Sequence, residues 1–255
     1  MTEAFIKSVK LLSEGSEERE GHPWDLPAVA QLAGGVKLDP KVTYLVGENG
    51  SGKSTLLAAI AMAAGMNPEG GSSNYTFPKE GPEAEPYALS HDRSHTQLAE
   101  SIVLVRGARR PRTNFFLRAE SLFVAATYLE RLPGDPLRAY GGRSLHEQSH
   151  GEAFLALLIH RFGADGLYLL DEPEAALSTQ NCLTCLRRIH ELVRQGSQFV
   201  ISTHSPIILA YPEATIYNCT DSGLEEIGYD DAQPVRLTAS FLGARQRFLD
   251  RLFGD

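Results

Sequence analysis

The stretch Val42–Ile60, VTYLVGENGSGKSTLLAAI, constrains the fold more than any other part of the chain. It opens with an apolar, β-branched run from Val42 to Val46 that suits a buried parallel strand. Gly47, Gly50 and Gly52 then allow a tight turn whose backbone can approach a ligand closely. From Lys53 the periodicity is helical, with Leu56, Leu57 and Ile60 on one face. Gly47-xxxx-Gly52-Lys53-Ser54 therefore meets the phosphate-loop pattern in its required context, a strand before and a helix after. Backbone N–H groups and the positive end of the helix would face the phosphates. Lys53 would reach the β/γ oxygens, and the Ser54 hydroxyl would ligate Mg²⁺. The pattern implies a bound nucleoside triphosphate.

The chain has 255 residues, 42% of them hydrophobic, enough for one substantial α/β core with a smaller lobe attached. A formal net charge of −8 argues against whole-molecule electrostatic binding of nucleic acid, so any such contact needs a local basic patch. Three cysteines and no signal-peptide pattern point to a reducing cytoplasm. No run approaches the length of a membrane span, so membrane insertion is not expected.

Before the loop, Phe5, Ile6, Val9 and Leu11 alternate as in a short strand, and a polar, acidic turn follows at Ser13–Gly21. Trp24, the only tryptophan, could stack on a base, but packing at the sheet edge is the favoured reading. The stretch Gly65–His95 reads as a long irregular connection, Ser101–Val105 as a strand, and Asn114–Arg118 as another. Between them Arg106, Arg109, Arg110 and Arg112 form a basic cluster, which could meet nucleic acid or be a solvated loop paired with acids. Leu122–Leu132 has a helical pattern. Residues 67 to 150 look like a lobe inserted into a single domain spanning 1–255.

Further on, Ser149-His150-Gly151-Glu152 precedes an apolar helix, a weak anion-accepting pattern that a plain helix cap explains as well. Gly166–Glu172, GLYLLDE, is more specific: a buried strand with Asp171 and Glu172 where it ends, the place where ligands bind in open α/β sheets. Asp171 is placed to hold Mg²⁺ through water, and Glu172 to orient or deprotonate the attacking water. Cys182 and Cys185 share a helix predicted at Thr179–Arg194, but a metal site would need two further ligands, so buried thiols are expected. Gln198–Thr203 is another core strand, ending at His204, a candidate γ-phosphate sensor. A hairpin around Asp221-Ser222-Gly223 and a closing amphipathic helix at Val235–Phe253 complete the chain.

The order GENGSGKST, SHGE, LYLLDEPEAALS, ISTHSP resembles the nucleotide-binding head of the ABC-type ATPases. It is most similar to the soluble branch, small bacterial AAA-family ATPases related to chromosome-maintenance and recombination heads. The resemblance covers residues 40–60 and 140–215. It implies a P-loop NTPase fold: a parallel-centred sheet flanked by helices, an antiparallel N-terminal portion and a helical lobe. It also implies ATP and Mg²⁺ as cofactors. Gly47, Glu48, Asn49, Gly50, Ser51, Gly52, Lys53, Ser54 and Thr55 correspond to Walker A, and Ser149, Gly151 and Glu152 to the signature motif. Asp171 and Glu172 match Walker B, Ala176–Ser178 the D-loop, and His204 the switch histidine. Glu120 stands at the position of the family's glutamine loop, so Ser54, Asp171 and Glu120 form the implied metal set, with Glu172, His204 and Lys53 as the catalytic set. In the family two heads sandwich two ATP molecules, which implies an ATP-dependent homodimer serving DNA, RNA or an effector protein.

Three departures qualify the match. The signature reads QSHGE rather than LSGGQ, an acid replaces the Q-loop glutamine, and no long coiled-coil insertion is present. Two alternatives stand beside the soluble ATPase: the ATPase subunit of a membrane transporter, and a low-turnover dimerisation switch. Transporter heads generally read DEPTSALD and THD where this chain has DEPEAALS and THS.

Overall fold

The computed structural model describes residues 3–12, 20–67, 70–71, 93–120, 122 and 142–254. The helix expected at Leu122–Leu132 and the acidic turn at Ser13–Gly21 fall almost wholly outside the described residues, as does about half of the 67–150 lobe.

In chain order the elements are β1 (Ile6–Leu11), α1 (Pro27–Ala30), β2 (Val36–Lys37), β3 (Val42–Gly47), α2 (Lys53–Ala63), α3 (Arg93–Ser101), β4 (Ile102–Arg106) and β5 (Thr113–Arg118). Then come α4 (His150–Ala156), β6 (Gly166–Asp171), α5 (Thr179–Arg194), β7 (Gln198–Ser202), β8 (Thr215–Thr220), β9 (Gly223–Ile227), α6 (Gln233–Gly243) and α7 (Arg245–Phe253). The main sheet has the order β5-β6-β7-β3-β8-β9, parallel throughout except for the β8–β9 hairpin. A smaller antiparallel sheet, β2-β1-β4, is the expected N-terminal portion. This is the α/β P-loop architecture anticipated from the motifs.

The parallel strands are buried on both faces, which is why they read as continuous apolar runs. Alternate residues divide between two cores, as the two-residue period of a strand dictates. Tyr44, Phe115, Tyr168, Leu170, Phe199 and Ile201 face α4 and α5, where Phe154, Ile189 and Leu192 meet them, together with Phe162 beyond α4. Leu45, Phe116, Leu167, Leu169 and Val200 face the opposite layer, formed by α2 and the N-terminal sheet. Gln198 fastens that sheet to the main one. Its buried side-chain oxygen accepts from the backbone N–H groups of Phe5 (2.9 Å) and Ile6 (3.0 Å), and its NH₂ donates to the carbonyls of Ile6 (2.9 Å) and Asp39 (2.8 Å). All of the amide's principal bonding capacity is used, as a buried amide requires.

Two expectations need correction. Helix α3 begins in the last three residues of the expected connection Gly65–His95 and runs on to Ser101, the expected start of the next strand, with Leu98 buried in the core. The C-terminal amphipathic pattern does not close the core as one helix. It breaks at Ala244 (φ −144°) into α6 and α7, neither of which buries a residue. Leu237, Leu242, Leu252 and Phe253 are 58–74% exposed. The physical reason is local: Gly243, a poor helix former, precedes the break, and only Val235 of the expected apolar face packs against the core. Among the described residues no helix is long and apolar enough to cross a membrane.

Candidate functional site

The loop after β3 and the end of β6, with β7 paired between the two strands, border a cleft of about 340 Å³. Strand β3 enters it through Gly47, whose φ of +144° only glycine adopts readily. A Cβ there would lie 2.5 Å from the Cys219 carbonyl oxygen and 3.0 Å from Ser51 Oγ. The loop turns through Gly50 (φ +82°) and Gly52 (φ +91°), and α2 begins at Lys53. Lys53 Nζ donates to the carbonyl oxygens of Gly47 (2.9 Å) and Glu48 (2.8 Å), so the loop already curls around a positive charge. Burial holds its pKa below the ordinary lysine value, partly opposed by Cys219 and Glu172. Gly47→Ala is expected to strain the loop in both φ and contact distance. It should lower stability by about 1–3 kcal/mol and ATP affinity at least tenfold, measured by chemical denaturation and titration with a fluorescent ATP analogue.

Across the cleft, Ser54 Oγ donates to Asp171 Oδ1 at 3.0 Å. Ser202, opposite Asp171 in the β6–β7 register, donates a short hydrogen bond to the same oxygen. Asp171 Oδ2 faces Arg118 Nε at 3.3 Å. Glu172 follows in the left-handed region (φ +46°), uncommon outside glycine, with its N–H held by the Ser202 carbonyl at 3.1 Å. Its carboxyl lines the cleft, and its pKa is raised by burial and then by the neighbouring Asp171 charge, with His204 opposing. His204 Nε2 lies 3.6 Å from Glu172 Oε1 and has no hydrogen-bond partner among the described residues. Glu120 is exposed and lies on the wall of the cleft near Ser54 and Glu172, with Oε2 3.9 Å from Arg118 Nη2.

Lys53, Ser54, Asp171, Glu172, His204 and Glu120 are thus brought to one locality. Ser149, Gly151 and Glu152 are not. They start α4, where the Glu152 N–H donates to Ser149 Oγ (3.4 Å) and Glu152 Oε2 accepts from the Ser149 N–H (2.9 Å) and hydroxyl (2.7 Å). This reciprocal capping box defines the helix start. A Cβ on Gly151 would sit 3.0 Å from the Ala176 carbonyl, so the motif packs against the turn after Glu172 and lines no part of the cleft.

Sequence reasoning missed Glu174. Its carboxylate accepts from Thr203 Oγ1 (2.8 Å) and from the His204 N–H, fixing the histidine's backbone. The only sequence signal was an acid two residues after Glu172 in a turn. His22 and Leu26 line the cleft, whereas Trp24 between them packs against the core, in keeping with its structural reading. The arginine cluster is largely occupied within the chain. Arg109 pairs closely with Asp165 and lies 5.1 Å over the Phe5 ring, while Arg112 Nε is 3.5 Å from the same Asp165. Arg106 donates to the Ala63 carbonyl at 3.3 Å. Cys182, Cys185 and Cys219 are buried free thiols, and burial pushes Cys185 up to about 12.

A family model described as an AAA domain matches residues 34–109. An uncharacterized ABC transporter ATP-binding protein of Haemophilus influenzae is 27% identical over 176 residues, 65% of this chain and 65% of that protein. The ribose import ATP-binding protein RbsA of Geobacillus kaustophilus is 29% identical over 181 residues, 66% of this chain but 35% of that protein's length. Among solved structures, the SMC head domain from Thermotoga maritima aligns at TM-score 0.42 and 14% identity, covering 87% of this chain and 98% of that one. By its motif order, the AAA-domain match over residues 34–109 and these sequence relatives, the chain is similar to ABC-type AAA ATPases, and it spans 65% and 35% of the length of the two relatives.

Proposed function

We propose that the chain is a single ATPase domain with an inserted lobe, which dimerises around ATP in the cytoplasm and uses hydrolysis to drive a protein or nucleic-acid partner. One observation carries this reading. Lys53, Ser54 and Glu172 line one cleft, with Asp171 bonded to Ser54 in the small cavity beside it, while Ser149 and Gly151 of the same chain lie away from it. If the signature motif touches nucleotide, it must be the nucleotide of a second molecule. Within one head, residues 47–55 would wrap the phosphates, with Lys53 neutralising the β/γ oxygens. Glu172 would take the proton of the attacking water, and His204, steadied by Glu174, would report the γ-phosphate. Charge-stabilising groups already in place need little reorganisation when the reaction occurs.

The donor set suits Mg²⁺. Ser54 Oγ and Asp171 are hard oxygen donors, and Glu120 is in reach of the same cleft. Bound there, Mg²⁺ supplies neutralisation of the phosphate charge.

The test is turnover and mass together. Purified protein should release phosphate from ATP only with Mg²⁺, and sedimentation should show a dimer with ATP and a monomer without it. A turnover-competent monomer would refute the sandwich, and an ATP-bound dimer without turnover would convert the reading to a switch. A transporter-subunit reading is favoured by the naming of the two relatives above. Co-purification of a membrane permease would establish it, and co-purification of a soluble partner or nucleic acid would support the first reading.

A further inference from the structure

Besides Lys53, a second cation of the protein, Arg118, borders the site in the small cavity it shares with Ser54, Asp171, Glu120 and Glu172. Arg118 ends β5, and the β5–β6 register sets it beside Asp171. Its Nε is 3.3 Å from Asp171 Oδ2, and its Nη2 is 3.9 Å from Glu120 Oε2. The side chains of Arg118 and Asp171 are only 16% and 6% exposed, so solvent screens their attraction weakly. Asp171 Oδ1 is already taken by Ser54 and Ser202. The other oxygen, the one open to a cation, is the one that Arg118 faces. Yet the pairing is loose: the buried Arg118 Nε makes no hydrogen bond among the described residues. A well-made arginine–carboxylate pair aligns its N–H groups on the oxygens, and this one does not.

We infer that Arg118 is a resident counter-ion of Asp171 and Glu120 that competes with a divalent cation, so that cation capture depends on bound nucleotide. The inference rests on the Mg·ATP reading above. Without nucleotide, an incoming cation meets a carboxylate already balanced by a guanidinium, and like charges a few ångströms apart repel. The described residues offer no cluster of ligands to outweigh that repulsion. A triphosphate adds several negative charges at the same place, which tips the balance and lets the loosely held arginine move aside. Arg118 is a positioning residue in this scheme: it sets when Asp171 becomes available.

The test is Mn²⁺ binding by the full chain, followed by electron paramagnetic resonance with and without ATP. Arg118→Gln should bind Mn²⁺ at least tenfold more tightly than the unmodified protein when no nucleotide is present. Adding Asp171→Asn should abolish that gain. Affinity for a fluorescent ATP analogue in EDTA should stay within about threefold, because Arg118 is not assigned to the phosphates. Arg118→Met, which keeps the buried stem, serves where the glutamine variant fails to fold. Unchanged or weaker Mn²⁺ binding in a folded variant overturns the inference. So does a tenfold loss of analogue affinity in EDTA, which would make Arg118 a phosphate ligand. If the unmodified protein takes up no Mn²⁺ even with ATP, it is the Mg·ATP reading that fails.

Discussion

Glu172→Gln is expected to slow ATP turnover by about two to four orders of magnitude, leave ATP affinity within a few-fold, and accumulate an ATP-bound dimer. The carboxylate lines the cleft one residue beyond Asp171, in a left-handed conformation held by the N–H contact to the Ser202 carbonyl. Glutamine keeps the shape and can still orient a water, but it cannot accept the water's proton. The environment favours that acceptance: burial and the Asp171 charge raise the Glu172 pKa, with His204 partly opposing. The sign of that shift also predicts the effect on folding. A carboxyl whose pKa rises on folding binds its proton more tightly in the folded state, so stability increases as pH falls and the ionised form opposes folding at neutral pH. The variant should therefore melt no lower than the parent at pH 7. Near-parental phosphate release, measured as single turnover and at steady state, would remove Glu172 from the chemistry. A large drop in melting temperature would reassign it to structure.

The parts of this site that were legible in sequence are those built from neighbouring residues. The loop at 47–54 lies between a strand and a helix whose periodicities differ, and its glycines stand where positive φ is required. β6 and the middle of β7 are apolar runs because they are buried on both faces, and each strand ends on a polar residue, Asp171 and Ser202. What was not legible depends on register and on distant partners. Arg118 reads as the last residue of a short strand until β5 is paired with β6, and only then does it stand beside Asp171. Gln198 reads as a strand start, yet its four bonds reach residues up to 193 positions away. Arg109 and Arg112 read equally as a nucleic-acid patch or as a loop paired with acids, and only the fold identifies Asp165 as the acid beside them. The C-terminal amphipathic pattern marked helical residues but neither the break at Ala244 nor the exposure of the apolar face, since periodicity does not say which face packs on the core.

Ser149→Arg should prevent ATP-induced dimerisation while each molecule still binds nucleotide with near-parental affinity. The position permits a clean separation of the two effects. Ser149 is exposed, and among the described residues its side chain bonds within the capping box that starts α4. Losing the serine cap costs about 1 kcal/mol, too little to unfold a head whose main cores lie elsewhere. The cleft of the same chain is lined by Lys53, Ser54 and Glu172 and by no residue of the signature stretch, so its own nucleotide should not sense the change. A second head docking against that nucleotide would. Arginine places a long charged side chain where the model needs a small hydroxyl beside a phosphate group, and its bulk should hold the two surfaces apart. Combined with Glu172→Gln, the substitution should convert a trapped dimer into an ATP-loaded monomer. Sedimentation with ATP and equilibrium titration with a fluorescent analogue measure the two quantities separately. An unchanged dimer would mean that the signature residues do not face the partner's nucleotide, whereas loss of nucleotide binding by the monomer would mean that they serve their own.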